Sequence, residues 1–203
     1  MRKPTRNWTN GEVNEPLQIT LADAEEFLAR NQIRHMLIGG LAVALRGQPR
    51  ATVDVDIVLA TDVDVALGLV QQLPTSRFRP LFADVEQVVE ESLILPLRHR
   101  EQGVKVDLMI GLSGFERLAV DRAQPCQVAG TTIPVATAED LIIMKALAGR
   151  PRDEQDLEGL VIAQGDALDW TYCDHMANEL GEALGIDLLD RVRKLRRDHS
   201  IDL

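Results

Sequence analysis

The chain has 203 residues, enough for one domain or for one domain with a helical appendage. Hydrophobic residues make up 45% of it, so it can bury a core and is not a disordered segment. The formal net charge of −10 argues against the broad basic surface that dedicated nucleic-acid binders use. Local basic clusters remain at Arg2–Lys3 with Arg6, Arg46 with Arg50, Arg98 to Arg100, and Arg191 to Arg197.

The two cysteines, Cys126 and Cys173, lie far apart in the sequence and form no Cys-x-x-Cys pair. Free thiols in a reducing cytoplasm are therefore expected, and a structural zinc site is not. No apolar run approaches the roughly 20 residues that cross a bilayer. The amino terminus lacks the apolar core of a signal peptide. We expect a cytoplasmic protein without a membrane partner.

The hydrophobic pattern predicts an arm (1–19), an α/β core (20–136) and a helical carboxy-terminal region (137–203). The arm is polar and broken by Pro4, Gly11 and Pro16, and Thr20 is expected to cap the first helix. The predicted helices cover about residues 21–31, 41–46, 62–73, 85–91, 113–122, 138–148, 153–163, 170–184 and 187–199. The predicted strands cover residues 35–38 and 52–60, a hairpin formed by 93–98 and 104–110, and a small hairpin over 126–135, and a loop is predicted from residue 75 to the helix at 85.

Two aspartates with one residue between them lie in a predicted apolar strand. Because side chains alternate along a strand, Asp54 and Asp56 point the same way, roughly 7 Å apart at Cα. Val53, Val55 and Ile57 are expected to face the core. Two like charges repel each other and resist burial, and a divalent cation, which prefers oxygen ligands, removes that cost. The pair therefore predicts a metal site, although an Asp-x-Asp alone is also common on exposed strands and turns.

A third aspartate lies on the strand predicted over residues 104–110. Apolar residues at its even positions face the core, and Asp107 faces the other side together with Lys105. If this strand neighbours the first one, Asp107 joins Asp54 and Asp56. Three carboxylates can hold two metal ions about 3.5–4 Å apart, which align the attacking oxygen, the phosphorus and the leaving oxygen of a phosphoryl transfer. Taken alone, one acid on a solvated strand face needs no such explanation.

Gly39 and Gly40 stand between the strand over 35–38 and the short helix that follows. Glycines at such a junction let backbone amides approach an anion closely, and the amino end of a helix favours a phosphate. A tight turn that requires a positive φ is the alternative explanation. The chain contains neither a Gly-x-Gly-x-x-Gly loop nor a Walker loop.

The Gly-Gly turn, the Asp-x-Asp pair after a spacer of thirteen residues, and the third aspartate together resemble the nucleotidyltransferases of the DNA polymerase β superfamily. The resemblance implies a nucleotidyltransferase fold, which is a small mixed α/β sheet flanked by helices with a helical carboxy-terminal part. It implies that Asp54, Asp56 and Asp107 are catalytic and bind two Mg²⁺ ions, with Mn²⁺ as the alternative ion. Gly39 and Gly40 would line the triphosphate.

A second stretch, Thr137 to Leu157, resembles the "EDL…K…aGRpkD…D" segment of AbiEii-like nucleotidyltransferases, which include toxins of toxin–antitoxin and abortive-infection systems. This resemblance implies that Lys145 reaches the triphosphate and that Asp153 orients it or closes the nucleotide site. Arg50 and Thr52 also match that group and join the expected nucleotide-binding residues. In the residues alone, Lys145 also fits a lysine that snorkels from a buried helix, and Asp153 fits a helix cap.

The sequence thus predicts a Mg²⁺-dependent nucleotidyltransferase that moves a nucleoside monophosphate from an NTP to an acceptor and releases pyrophosphate. The acceptor stays open among a tRNA end, a partner protein and a small molecule such as an aminoglycoside. A cognate toxin or antitoxin protein is a further expected partner. A second class also stays open, namely a nucleotide-binding antitoxin or regulatory module that has the same fold and little turnover.

Overall fold

A computed structural model of the chain describes residues 14–199. Within that range the helices, in chain order, are α1 (Glu15–Arg30), α2 (Gly39–Arg46), α3 (Val63–Val70), α4 (Val85–Ser92), α5 (Gly114–Arg122), α6 (Ala138–Ala148), α7 (Pro151–Gln164), α8 (Trp170–Leu184) and α9 (Leu188–Asp198). The strands are β1 (His35–Ile38), β2 (Asp54–Leu59), β3 (Phe78–Pro80), β4 (Ile94–His99), β5 (Lys105–Ile110), β6 (Gln124–Val128) and β7 (Thr131–Val135). The change from mixed to purely helical structure after residue 136 agrees with the hydrophobic pattern.

The described residues group into two compact units. The sheet unit comprises residues 14–41 and 51–136, and the helical unit comprises residues 42–50 and 137–199. The division of the chain into a core domain (20–136) and a helical region (137–203) stays a prediction.

The sheet unit is built on one seven-stranded mixed sheet with the order β3-β4-β5-β2-β1-β7-β6. The β2–β5 and β1–β7 pairs are parallel, and the other pairs are antiparallel. The predicted hairpins β4–β5 and β6–β7 are confirmed. The strand with two aspartates, β2, therefore lies near the middle of the sheet, between β1 and β5.

Helix α1 covers one face of this sheet, which we call the α1 face. The ring of Phe27 on α1 lies 5.9 Å from that of Phe78 on β3, centroid to centroid. The Nε2–H of His99 on β4 donates to Asp23 on α1 over 2.7 Å, because the other ring nitrogen accepts from backbone amides of the following turn. The side chain of His99 is buried and has both ring nitrogens bonded, so it holds the helix on the sheet. The opposite face carries the aspartates.

The first helix begins earlier than predicted. Asn14 caps α1, since its side-chain oxygen accepts from the amide of Leu17 over 3.0 Å, and the helix starts at Glu15. Thr20 therefore lies inside the helix, and its predicted role as a cap is wrong. Asparagine followed two residues later by a proline in the first turn is itself a helix-start signal. The part of the predicted arm over residues 1–13 lies outside the described residues.

Two further local predictions are wrong. Val53 does not face the core, because β2 begins one residue later and the Val53 side chain is 79% exposed. The short strand β3 falls in a stretch that the hydrophobic pattern assigns to a loop.

The helical unit is organised around a buried carboxylate at the start of α6. Thr137 caps this helix, as predicted, by accepting from the amide of Asp140 over 3.1 Å. The Asp140 carboxylate accepts from the Thr137 hydroxyl at 2.6 Å and from the Tyr172 hydroxyl on α8 at 2.5 Å. Because both of its oxygens are bonded, this wholly buried acid links α6 to α8 without an orphaned polar atom.

Both cysteines are free thiols, as predicted, and both are buried. Burial is the main cause that raises the pKa of the Cys173 thiol far above its ordinary value, so this thiol is unreactive. Over residues 14–199, no helix combines the length and the apolar composition that crossing a bilayer requires.

Candidate functional site

The parallel pairing of β2 and β5 aligns three aspartates on one face of the sheet, here called the carboxylate face. Asp56 lies directly opposite Asp107, and Asp54 lies opposite Lys105. These four side chains are half-buried, whereas the residues between them are buried. Neighbouring strands are about 4.8 Å apart, so Asp56 and Asp107 are adjacent. The two strands are neighbours, which was the condition for Asp107 to join Asp54 and Asp56.

Gly39 determines how closely the glycine turn approaches Asp56. Strand β1 pairs Ile38 with Asp56, and helix α2 begins at the next residue, where φ is +65°. A Cβ at position 39 would lie 1.9 Å from Oδ2 of Asp56. Glycine is therefore required twice, once for the left-handed backbone and once for the space that the carboxylate occupies. The positive φ confirms the tight-turn explanation for Gly39, and the approach of these amides to a phosphate stays a prediction.

Thr52, two residues before the start of β2, helps to fix Asp54. Its hydroxyl donates to Oδ1 of Asp54 over 3.0 Å. One oxygen of this carboxylate is thereby oriented by a neutral donor. Thr52 was predicted to bind the nucleotide, and its observed contact is with Asp54.

Lys105 holds one oxygen of Asp107. Its Nζ lies 2.6 Å from Oδ2, and the lysine side chain is 40% exposed while that of Asp107 is 17% exposed. The other oxygen, Oδ1, is buried and accepts no hydrogen bond in the described part of the chain. A buried carboxylate oxygen without a partner is costly, and a cation is the kind of group that would satisfy it.

The residues present fit a divalent cation in donor type and in register. Three carboxylates on two neighbouring strands supply the hard oxygen ligands that Mg²⁺ prefers. As they stand, however, no three His, Cys, Asp or Glu side chains between residues 14 and 199 are gathered into a metal-binding group. The metal-ligand roles of Asp54, Asp56 and Asp107 therefore stay predictions.

In the helical unit, Lys145 on α6 lies in a buried cluster of charges. Its Nζ donates to Asp153 over 2.9 Å and to Asp156 over 2.7 Å. Arg50 contacts Asp156 through two nitrogens, at 2.7 and 3.2 Å, and Arg150 contacts Asp153 at 2.8 Å. We call these five residues the Lys145 cluster. The lysine is 6% exposed, so the interpretation of Lys145 as a snorkelling side chain is wrong.

The charges of this cluster set the protonation of Asp153. Burial on its own would raise the pKa of this carboxyl, but hydrogen bonds from Arg150 and Lys145 outweigh it and lower the pKa from 3.8 to about 2. Asp153 also accepts from the backbone amide of Arg150 over 3.2 Å at the start of α7. It is thus both the helix cap and the partner of Lys145, the two roles that the sequence offered as alternatives.

The structure brings the predicted site residues together in two groups. The sheet unit contains Gly39, Gly40, Thr52, Asp54, Asp56 and Asp107. The helical unit contains Arg50, Lys145 and Asp153. Sequence reasoning gave no role to Lys105 or Asp156. Asp156 follows Asp153 by three residues, which is one turn of a helix, and that spacing is the signal that predicts a shared contact.

Comparison with known proteins identifies the family. A family model described as a nucleotidyltransferase of unknown function (DUF6036) matches residues 15–200. The chain belongs to this family. The predicted relationship to nucleotidyltransferases is thereby confirmed, while membership of the narrower AbiEii-like group stays a prediction. No curated protein matches the chain.

The solved structures similar to this chain include a nucleotidyltransferase-like protein and two adenylyl-transferring proteins. An antigenic nucleotidyltransferase-like protein from Paracoccidioides brasiliensis has a TM-score of 0.54 and 17% identity, covering 89% of this chain and 94% of that chain. The lincomycin-bound lincosamide antibiotic adenylyltransferase LnuA has a TM-score of 0.49 and 18% identity, covering 73% of this chain and 96% of that chain. ANT(2″)-Ia in complex with adenylyl-2″-tobramycin has a TM-score of 0.46 and 13% identity, covering 91% and 99%. The first comparison confirms the predicted fold.

Proposed function

We propose that this family member is a Mg²⁺-dependent nucleotidyltransferase, which transfers a nucleoside monophosphate from an NTP to an acceptor and releases pyrophosphate. The observation that carries the proposal is the register that sets Asp56 opposite Asp107 and next to Gly39. Carboxylates for a cation and a helix amino end for a phosphate thus occur side by side, and both are needed for phosphoryl transfer.

Asp54 and Asp56 would hold two ions, and Asp107 would hold one of them and take up the proton of the acceptor hydroxyl. When bound, Mg²⁺, or Mn²⁺ in its place, supplies positive charge that offsets the charge developing on the transferred group. The Thr52 hydroxyl keeps one oxygen of Asp54 oriented.

The first amides of α2 are the proposed triphosphate site. The helix begins at Gly39, so the amides at its amino end are not used by hydrogen bonds within the helix. Such amides and the helix dipole favour a bound phosphate. Gly40 follows Gly39 in the first turn of α2 and adds no side chain there.

The roles of Arg50, Lys145 and Asp153 in nucleotide binding are part of this proposal and rest on the sequence resemblance. Their observed contacts support a rigid arrangement, since each charged group has an ionic partner. A tRNA end, a protein and a small molecule are the candidate acceptors, and a cognate toxin or antitoxin is the candidate protein partner. The reduced, buried cysteines support the proposal that the protein works in the cytoplasm.

The test is transfer of label from each α-labelled NTP in the presence of Mg²⁺. Purified protein is offered total tRNA, host soluble protein and a panel of aminoglycosides. We expect one labelled acceptor class with the wild-type protein and none with Asp54→Asn. The matched control is Asp64→Asn, which removes an exposed carboxylate on α3 and should keep full transfer. Full transfer by Asp54→Asn would refute the assignment, and NTP binding without any transfer would favour the regulatory module.

A further inference from the structure

One row of the sheet carries three cations next to Asp54. Lys105 on β5 is paired with Asp54, Arg98 on β4 is paired with Lys105, and Arg79 on β3 is paired with Arg98. Paired residues of neighbouring strands point to the same side of a sheet. Lys105, Arg98 and Arg79, which we call the cation row, therefore lie on the carboxylate face. At about 4.8 Å per strand, the row extends about 10 Å from Lys105 to the edge strand β3.

The outer two members of the cation row have charges that are not neutralised. Within residues 14–199 neither Arg79 nor Arg98 has a carboxylate partner, and the one hydrogen bond of Arg98 goes to the backbone oxygen of Gly103 at 2.7 Å. Among the other arginines of the sheet unit, Arg30, Arg34 and Arg77 each pair with an acid, whereas Arg100 and Arg117, like Arg98, donate to backbone oxygens. In a chain with a net charge of −10, two unpaired cations on the carboxylate face indicate an anionic ligand.

The order of the strands indicates which ligand this is. The glycine turn lies on the β1 side of β2, and the cation row lies on the β5 side. In phosphoryl transfer the attacking and the leaving oxygens are roughly in line, on opposite sides of the phosphorus. If the triphosphate binds at the glycine turn, as the proposed function requires, pyrophosphate leaves on the β1 side. The acceptor then approaches from the β5 side, along the cation row.

We propose that the acceptor is the 3′ end of a nucleic-acid strand, whose backbone phosphates contact Arg98 and Arg79. The 3′-hydroxyl oxygen forms a bond to the α-phosphorus of the NTP, and the bond from that phosphorus to the oxygen shared with the β-phosphorus breaks. Pyrophosphate leaves with the electron pair, and the hydroxyl proton passes to Asp107. A cationic aminoglycoside would be repelled by the cation row. This inference rests on the proposed function for the position of the hydroxyl, but the phosphate contacts can be measured separately.

The test measures binding of fluorescent single-stranded RNA and DNA by anisotropy, without NTP, between about 50 and 200 mM salt. The variant is Arg79→Gln with Arg98→Gln, which removes two charges and keeps a side-chain donor for Gly103. Each lost phosphate contact should reduce the slope of log K against log salt by about 0.7, so the expected change is about 1.4. At about 0.1 M salt this corresponds to an affinity loss of about 25-fold. Comparison of the RNA and DNA affinities identifies the acceptor as the strand that binds more tightly.

Three controls make the result specific. Arg30→Gln removes an exposed arginine from α1, which lies on the opposite face, and should leave slope and affinity unchanged. Arg98→Lys keeps the charge and should keep the slope. Binding of a non-hydrolysable NTP should be unaffected in the double variant, and thermal melting should report an intact fold.

Unchanged strand binding in the double variant would overturn the inference. So would loss of NTP binding with strand binding retained, because the cation row would then serve the triphosphate. Absence of strand binding by the wild-type protein would also overturn it. Failure of the proposed function would be detected in the separate transfer assay, as undiminished transfer by Asp54→Asn. The binding assay does not use that variant, so the two failures can be distinguished.

Discussion

Replacing Lys145 by methionine tests whether the Lys145 cluster stabilises the fold. Methionine keeps the length of the side chain and removes the ammonium that Asp153 and Asp156 share. Removing one partner from a buried ion pair costs about 3–5 kcal/mol. Arg150 and Arg50 still contact the two acids, so the expected loss in the free energy of unfolding lies at the lower end, about 3 kcal/mol at neutral pH.

The loss should also depend on pH, with a sign set by Asp153. Its pKa is lowered from 3.8 in the unfolded chain to about 2 in the fold, and each pH unit between these values corresponds to about 1.36 kcal/mol. Ionised Asp153 thus contributes roughly 2–3 kcal/mol, fully present above pH 3.8 and lost as the pH falls towards about 2. Lys145→Met removes part of what lowers this pKa. The difference between wild type and variant should therefore shrink as the solution is acidified through that range.

The assay is urea unfolding followed by circular dichroism at a series of pH values from neutral to acidic. The matched control is Lys194→Met, which removes an exposed lysine on α9 and should change stability by no more than about 0.5 kcal/mol. A difference below about 1 kcal/mol at neutral pH would show that the buried ammonium contributes little. If the stability difference between wild type and Lys145→Met does not change on acidification, Asp153 is not the group that the Lys145 ammonium stabilises.

Three further substitutions address the sheet unit. Gly39→Ala should lower the melting temperature and abolish transfer, because the new Cβ collides with the Asp56 carboxylate. Gly103→Ala is its control, since position 103 has a similar φ and open space, and it should lower the melting temperature only through the strained backbone. Asp54→Asn should raise the melting temperature of the metal-free protein by relieving like-charge repulsion, and should remove the further rise that Mg²⁺ produces. Lys105→Met should strengthen Mn²⁺ binding about fivefold in an electron paramagnetic resonance titration, because the ammonium competes with the ion for Asp107. The ammonium is partly exposed, so its interaction with Asp107 contributes about 1 kcal/mol. Weaker Mn²⁺ binding in the variant would contradict this.

Much of the fold could be predicted because its longer elements are strongly periodic. Strands β2 and β5 alternate between apolar and polar residues, and the four helices from α6 onward have a helical repeat with clear capping residues. Strand β3 could not be predicted in this way, since three residues are too short for a period. It pairs with β4 and buries the ring of Phe78 against His99, which are tertiary contacts that the local pattern does not contain.

The candidate site could be predicted in its parts and not in its arrangement. Alternation along β2 places Asp54 and Asp56 on one side, but nothing in the sequence specifies that β2 pairs in parallel with β5. The same limit applies to the cation row, whose members lie on three strands. Arg98 belongs to a basic cluster in the sequence, yet alternation along β4 separates it from its neighbour His99, which faces α1. Register, which depends on the folded sheet, makes Arg98 a neighbour of Lys105 instead.

The acidic composition of the chain and an anionic acceptor are compatible because electrostatic effects in salt are local. At physiological ionic strength the Debye length is about 8 Å, which is close to the length of the cation row. A phosphate at Arg98 therefore responds mainly to charges within about that distance, among them Arg79 and Lys105, and only weakly to the net charge of the whole chain. The net charge of −10 argues against a long basic track and does not argue against a short one. A short track suits a strand end that presents a few phosphates next to Asp107, and it disfavours a duplex held along its length.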